Sequence, residues 1–282
     1  MRCPAPRRGQ HCESGAGSAR LATYDSSMLK GKTGLILGVA NKRSIAWHIA
    51  RAADHHGAKI VLTYQNERLL RGIERILEQL SEPPLLLQCD VTDEGQMDAV
   101  FASIRDQVGH LDFLVHGLAF SKREELEGPF HDTTLENWQI AMQVSAYSFS
   151  ALVRRAVPLM EGRSGSFLTL TYLGAERVIP HYNVMGAAKA ALEASVRYLS
   201  ADVGPRGHRV NAISAGPIKT LAASGVKGFS RMLEVVAKRS ALKRNLGADE
   251  IGDAAVFFLS DLSRAVTGEV MFVDCGYHAM GI

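Results

Sequence analysis

Tyr182 and Lys189 are the residues of this sequence whose types and spacing most directly suggest chemistry. They stand seven positions apart, two helical turns, so a helix would carry both side chains on one face. A phenol with an unperturbed pKa of about 10 keeps its proton at neutral pH and can donate a hydrogen bond to a developing oxyanion. An ammonium beside it eases any proton donation. A lone Tyr and Lys at this spacing are more often an amphipathic surface pair, so their surroundings matter. Tyr172 and a strand end lie just upstream, and Gly186 with its small neighbours leaves space for a ligand.

A second group of residues suits a nucleotide. Gly38-Val-Ala-Asn-Lys-Arg-Ser44-Ile45-Ala46 is a glycine turn leading into a helical pattern, whose first amides near Ser44 and Ile45 can bind a pyrophosphate. It is not GxGxxG, and a plain strand-to-helix connection explains it equally well. The next apolar run ends in Thr63-Tyr64-Gln65, where dinucleotide folds usually carry an acidic residue for the adenine ribose. Gln65 can bond a ribose or an adenine, or be an ordinary surface residue. After the third run, Asp90 can accept from an adenine amine while Val91 packs on the ring; equally, Asp90 can cap a helix starting near Thr92.

These residues all follow short apolar runs that alternate with amphipathic stretches, the βαβ pattern of a parallel sheet. GLILG at 34–38, KIVLT at 59–63, LLLQC at 85–89, DFLVH at 112–116, SFLTLT at 166–171, RVNAIS at 209–214 and VMFVD at 270–274 read as strands buried on both faces. Helices are expected over 44–58, stopped by Gly57, and near 134–160 and 182–202. The expectation is a Rossmann-type, doubly wound α/β domain of about seven strands, with ligands beyond the strands' carboxyl ends.

Composition narrows the class. In 282 residues, 46% are hydrophobic and 22% charged, which suits a folded chain with a large core. A formal charge of +3 is too small to argue for nucleic acid. Cys3, Cys12, Cys89 and Cys275 form no CxxC pair, which suggests reduced thiols in a cytoplasm, and no metal site is expected. No apolar run approaches a bilayer span. Residues 1–27 are rich in Arg, Gly, Pro and Ser and lack a hydrophobic period, so they read as a disordered extension before a folded domain over 28–282. They only faintly resemble a transit segment.

Four stretches together resemble a known family: TYQNERL at 63–69, YLGAER at 172–177, YNVMGAAKAALEA at 182–194 and RVNAISAGPIKTLAASG at 209–225. The chain is similar, from about Leu29 to Asp274, to the bacterial enoyl-acyl-carrier-protein reductases, a divergent branch of the short-chain dehydrogenases. Ordinary members of that larger family carry Tyr-x3-Lys, an upstream catalytic Ser and Asn-Asn-Ala-Gly; here stand Tyr-x6-Lys, Tyr172 and His116-Gly117-Leu118-Ala119-Phe120. One departure from the branch is Gly117-Leu118-Ala119, where Ser-Ile-Gly is frequent.

The resemblance implies reduction of trans-2-enoyl thioesters on acyl carrier protein by NADH, in a homotetramer. It implies a cofactor held by Gly38, Ser44, Ile45, Gln65, Asp90, Val91 and Leu118, with Lys189 on the nicotinamide ribose. Ile218, Lys219, Thr220, Leu221 and Ala222 would cover the pyrophosphate and nicotinamide amide, and Ser121 would meet substrate. Tyr182 is then the oxyanion donor and Tyr172 a second pocket phenol of unsettled role. The segment 215–225 is small and flexible enough to be a lid. Gln65 is neutral, and Arg68 is followed by no basic cluster for a 2′-phosphate, which favours NADH over NADPH. Lys227 and Arg231 flank the lid and could steer an acidic carrier. Two alternatives stay open: a carbonyl or β-ketoacyl reductase on the same fold, and a nucleotide-binding sensor without catalysis.

Overall fold

The computed structural model describes residues 27–220 and 228–281. Seven parallel strands form one sheet in the order β3-β2-β1-β4-β5-β6-β7. They are β1 Thr33–Leu37, β2 Lys59–Tyr64, β3 Leu85–Gln88, β4 Phe113–His116, β5 Ser166–Thr171, β6 Arg209–Ala215 and β7 Val270–Val273. The order reverses between β1 and β4, so the connections leaving these two strands diverge and open a crevice beyond their carboxyl ends.

Nine helices connect them among the described residues: α1 Ile45–His55, α2 Glu67–Leu77, α3 Glu94–Gln107, α4 Arg123–Glu127, α5 Leu135–Met142, α6 Ser148–Ala156, α7 Asn183–Val203, α8 Phe229–Arg239 and α9 Ala248–Leu259. The two-residue period of the strands divides their side chains between two cores. Leu35, Leu37 and Leu114 join residues of α3, α6 and α7 on one face. Ile36, Phe113 and Val115 join those of α1 and α9 on the other. The central strands β1, β4 and β6 are buried throughout. The edge strands β3 and β7 are only half-buried, contrary to the expectation of two-sided burial, because each has one neighbouring strand.

Two local features differ from the sequence reading. The helix expected over 134–160 is α5, a π turn at Gln143–Tyr147, α6 and a 3₁₀ turn at Val157–Met160. In the π turn Ser148 N–H reaches back to Gln143 O, so one extra residue is taken into the helix. The cap of α3 is Asp93, which accepts from Gln96 N–H at 3.1 Å. Asp90 instead closes a turn, accepting from Thr92 N–H at 2.9 Å and the Thr92 hydroxyl at 2.7 Å. Gly57 does end α1, with φ of 85°. The expected extension lies, up to residue 26, outside the described residues.

Candidate active site

A cavity of about 830 Å³ runs along the carboxyl ends of the strands, large enough for a cofactor and part of a substrate. Its floor at the β1–α1 turn is made by backbone. Gly38 has φ of 101°, and a Cβ there would lie 2.1 Å from Gly117 O, so the turn tolerates no side chain. The Ser44 hydroxyl accepts from Ala40 and Asn41 N–H, both at 3.1 Å, and holds the loop closed. Ser44 then precedes α1, whose first turn carries no acidic residue. The first amides of a helix lack internal partners, so this end suits an anion such as pyrophosphate.

At one end of the cavity stand Gln65, Asp90 and Val91, with Thr63, Leu69 and Thr92, which the sequence reading missed. Gln65 Nε2 donates to Asp90 Oδ2 at 2.9 Å. Burial pushes the Asp90 carboxyl up, but hydrogen bonds from Thr92 and Gln65 outweigh it and hold the group below its ordinary pKa. It therefore presents a carboxylate.

In the middle, Lys189 is 4% exposed and donates from Nζ to Leu170 O at 2.8 Å and to Leu118 O at 3.4 Å. An ammonium has three N–H donors, so one is left for a ribose hydroxyl. Burial brings Lys189 down to about 8, with Glu193 one turn further along α7 pulling the other way. Tyr182 directly precedes α7, held by a strained entry: His181 and Asn183 have φ of 62° and 37°. Asn183 Nδ2 donates to Gly128 O at 2.7 Å and Glu125 O at 3.2 Å, tying the start of α7 to the end of α4. Tyr182 lines the cavity, and burial raises the phenol well above its ordinary pKa, so it keeps its proton.

Tyr172 packs edge-on against Tyr182, ring centroids 5.0 Å apart, and its hydroxyl points at Met232 Sδ of α8 at 3.4 Å. Burial, with Tyr277 nearby, raises it to about 12. The ring pair depends on Gly174, where a Cβ would meet Tyr182 Cδ1 at 2.4 Å. Gly186 does not make space for a ligand, as its composition suggested. A Cβ there would strike Gly174 O at 2.8 Å, so its role is to seat the Leu173–Ala175 turn against α7.

The far end is apolar. Phe120, Val144, Met185, Ile179, Phe229 and Met232 line it, none of them assigned a site role from sequence, because they come from five separate segments. Ser121 also lines the cavity, its hydroxyl accepting from Asn137 Nδ2 of α5 at 3.2 Å. Ile218 and Thr220 line the cavity with Ala215, Gly216 and Pro217. Lys219 does not: Ile218 is turned inward and the adjacent Lys219 is exposed, as a hydrated ammonium should be. Leu221, Ala222 and Lys227 lie outside the described residues. Among the described residues no group of three or more His, Cys, Asp or Glu gathers to hold a metal, and no helix is long and apolar enough to cross a membrane.

Residues 38–278 match a family model described as enoyl-(acyl carrier protein) reductase. The chain is 52% identical over 257 residues to enoyl-[acyl-carrier-protein] reductase [NADH] 1 of Rhizobium meliloti, covering 91% of this chain and 94% of that one. The Bacillus cereus enoyl-acyl carrier protein reductase, solved with NADP⁺ and indole naphthyridinone, superposes with a TM-score of 0.88 at 48% identity, over 91% of this chain and 100% of that one. The Anaplasma phagocytophilum reductase solved with NAD gives 0.88 at 47% identity, over 91% and 97%.

Proposed function

The chain belongs to the family of enoyl-(acyl carrier protein) reductases, and from that membership we infer how its own residues divide the reaction. It reduces trans-2-enoyl thioesters carried on acyl carrier protein to saturated acyl thioesters with NADH, in fatty-acid biosynthesis. The observation that carries the assignment of roles is that Tyr182 and Lys189 open on one cavity, between a nucleotide end and an apolar end.

The residues present fit a dinucleotide: a side-chain-free turn at Gly38, an acid-free helix start at Ser44 and Ile45, and an acceptor pair at Gln65 and Asp90. Val91 would pack on the adenine, Leu118 and Ile218 on the cofactor's nicotinamide half, and Lys189 would donate to its ribose. When bound, NADH supplies the hydride that the β carbon of the substrate receives. Tyr182 then donates a hydrogen bond to the thioester oxygen as negative charge builds there; its raised proton affinity keeps it a donor across the neutral range. Lys189 keeps positive charge near that oxygen, and Tyr172 shapes the pocket by fixing the Tyr182 ring. Ser121 faces the substrate, and the apolar far end excludes water from the acyl chain.

Acyl carrier protein is the macromolecular partner of this reading. A homotetramer, which the family resemblance implies, belongs to the same reading. A cytoplasmic location agrees with the free thiols of Cys89 and Cys275. The reductase domain begins at Met28, and residues 1–27 are dispensable. Deleting residues 1–27 should leave melting temperature and turnover unchanged, whereas a drop of several degrees would show that the segment packs. The reaction itself is tested by following the absorbance of reduced nicotinamide when crotonyl-coenzyme A is added to the purified protein. Consumption of NADH with formation of butyryl thioester is expected; reduction of ketones but not of this substrate would sink the reading.

A further inference from the structure

His116 ends β4 and has no exposed surface, yet both ring nitrogens meet hydroxyls. Nε2 lies 2.8 Å from Ser148 Oγ at the start of α6, and Nδ1 lies 2.8 Å from Thr169 Oγ1 on β5. Hydrogen-bond accounting fixes the direction of each contact. The Ser148 hydroxyl spends its one proton on Val144 O at 2.7 Å, so towards the ring it can only accept, and Nε2 must carry a hydrogen. A neutral ring so protonated leaves Nδ1 as an acceptor for Thr169 O–H, which takes this 2.8 Å contact over its other acceptor, His116 O at 3.2 Å. The ring is neutral because burial, helped by the Lys189 charge, brings it down to about 3.

Ser148 is also the residue that closes the π turn. Its backbone N–H goes to Gln143 O while its hydroxyl takes Val144 O, so the side chain satisfies a carbonyl that the irregular turn displaces. The turn presents two residues to the site. Val144 lines the cavity, and the buried Ser145 hydroxyl accepts from Phe120 N–H at 3.0 Å, holding the Gly117–Ser121 loop that starts immediately after His116.

We propose that His116 is a positioning residue of this reaction: a neutral imidazole with its hydrogen on Nε2, it clamps the π turn to the end of β4 and sets the cavity wall of Leu118, Phe120 and Val144. The proposal rests on the functional reading above, since in it Phe120 and Val144 of that wall face the enoyl chain and Leu118 faces the nicotinamide half of the cofactor. The clamp is separable from folding. In His116→Phe both hydroxyls keep a carbonyl to donate to, Val144 O for Ser148 and His116 O, 3.2 Å away, for Thr169.

The test measures kcat and KM for crotonyl-coenzyme A, NADH affinity and melting temperature in four variants. His116→Phe should lower kcat/KM about 10–100-fold, the scale on which small misplacements of reacting groups act, with NADH affinity within about threefold because the adenine and pyrophosphate ends are untouched. Ser148→Ala should reproduce it. His116→Gln places a carboxamide N–H near the Nε2 position and should recover activity to within about threefold, whereas His116→Asn, too short to reach Ser148, should not. If His116→Phe fails to fold, the contrast between Gln and Asn decides. Near-normal kcat/KM in His116→Phe and Ser148→Ala, or equal losses in Gln and Asn, would overturn the proposal. Nitrogen NMR of the unliganded protein supplies an arm independent of catalysis: a ring protonated on Nδ1, or on both nitrogens at neutral pH, overturns the clamp. Failure of the wild-type chain to oxidise NADH would instead overturn the functional reading.

Discussion

Gln65 gives an amide hydrogen to Asp90 Oδ2 at 2.9 Å, and because a carboxylate can only accept, the orientation of the amide is forced. One face of Gln65 is thus committed, and its carbonyl oxygen is the group left for a ribose. Hydroxyls satisfy that acceptor; a 2′-phosphate, itself an acceptor beside the Asp90 carboxylate, does not. The specificity constant should favour NADH over NADPH by at least about tenfold, some 1.4 kcal/mol. Gln65→Arg, which supplies a fork of donors, should bring the two within about threefold. Equal constants for both cofactors in the wild type would remove the argument.

The depressed Lys189 ammonium, proposed above to hold the ribose, should make cofactor binding dependent on pH. Burial lowers it to about 8, so the lysine is mostly charged at neutral pH and loses its proton as pH rises through that value. The sign for stability is opposite to that for binding. The unfolded chain, with an ordinary lysine, binds more protons between the two pKa values, so this group favours the folded state increasingly as pH rises from about 8 to about 10.4. NADH affinity should fall over the lower part of the same window. Titrating binding between about pH 7 and pH 9.5 should show that fall in the wild type and a flat, weaker profile in Lys189→Ala. Parallel profiles would place the titration elsewhere.

Much of this organisation is legible in the sequence, for a physical reason. Buried parallel strands must be apolar on both faces, so the runs at 59–63, 166–171 and 209–214 announce β2, β5 and β6 to within a residue or so. Tyr182 and Lys189 are equally visible, since α7 and the residue that caps its start bring them to one cavity. The π turn is not visible: one inserted residue barely disturbs an apolar period, and the Ser148 hydroxyl that stabilises it resembles any serine in a helix. The partners of His116 lie 32 and 53 residues away along the chain, and Met232 lies 60 residues from Tyr172. Contacts of that range appear only once the sheet order is known.

The surface beside the cavity bears on the carrier protein. Arg231 is exposed on α8, the helix whose Phe229 and Met232 line the apolar end. A cation there can steer an acidic carrier without touching the thioester. Arg231→Glu combined with Lys227→Glu should raise KM about threefold or more for the carrier-bound substrate, by roughly the 0.2–1 kcal/mol of an exposed pair at each site, and leave the coenzyme A analogue unchanged. An equal effect on both substrates would mean that these residues do not dock the carrier.

The two tyrosines are separated most clearly by their hydroxyls. Both residues line the cavity, but the hydroxyl of Tyr172 is turned to Met232 Sδ and its ring supports its neighbour, whereas the hydroxyl of Tyr182 is the one proposed to reach the substrate oxygen. Tyr182→Phe therefore removes one oxyanion contact and should lower kcat by about 10²–10³, with NADH affinity nearly unchanged. Tyr172→Phe keeps the edge-on ring and loses only a weak bond to sulfur, so kcat should fall by less than about tenfold, with a larger change in preference among acyl substrates. Lys189→Ala differs from both by weakening NADH binding as well as turnover, because its ammonium is proposed to hold the ribose in ground and transition states alike. Single-turnover rates and NADH titrations on the three variants discriminate these roles. Near-normal kcat in Tyr182→Phe together with a collapse in Tyr172→Phe would reverse the assignment and make the Met232-facing hydroxyl the one that turns to the substrate oxygen.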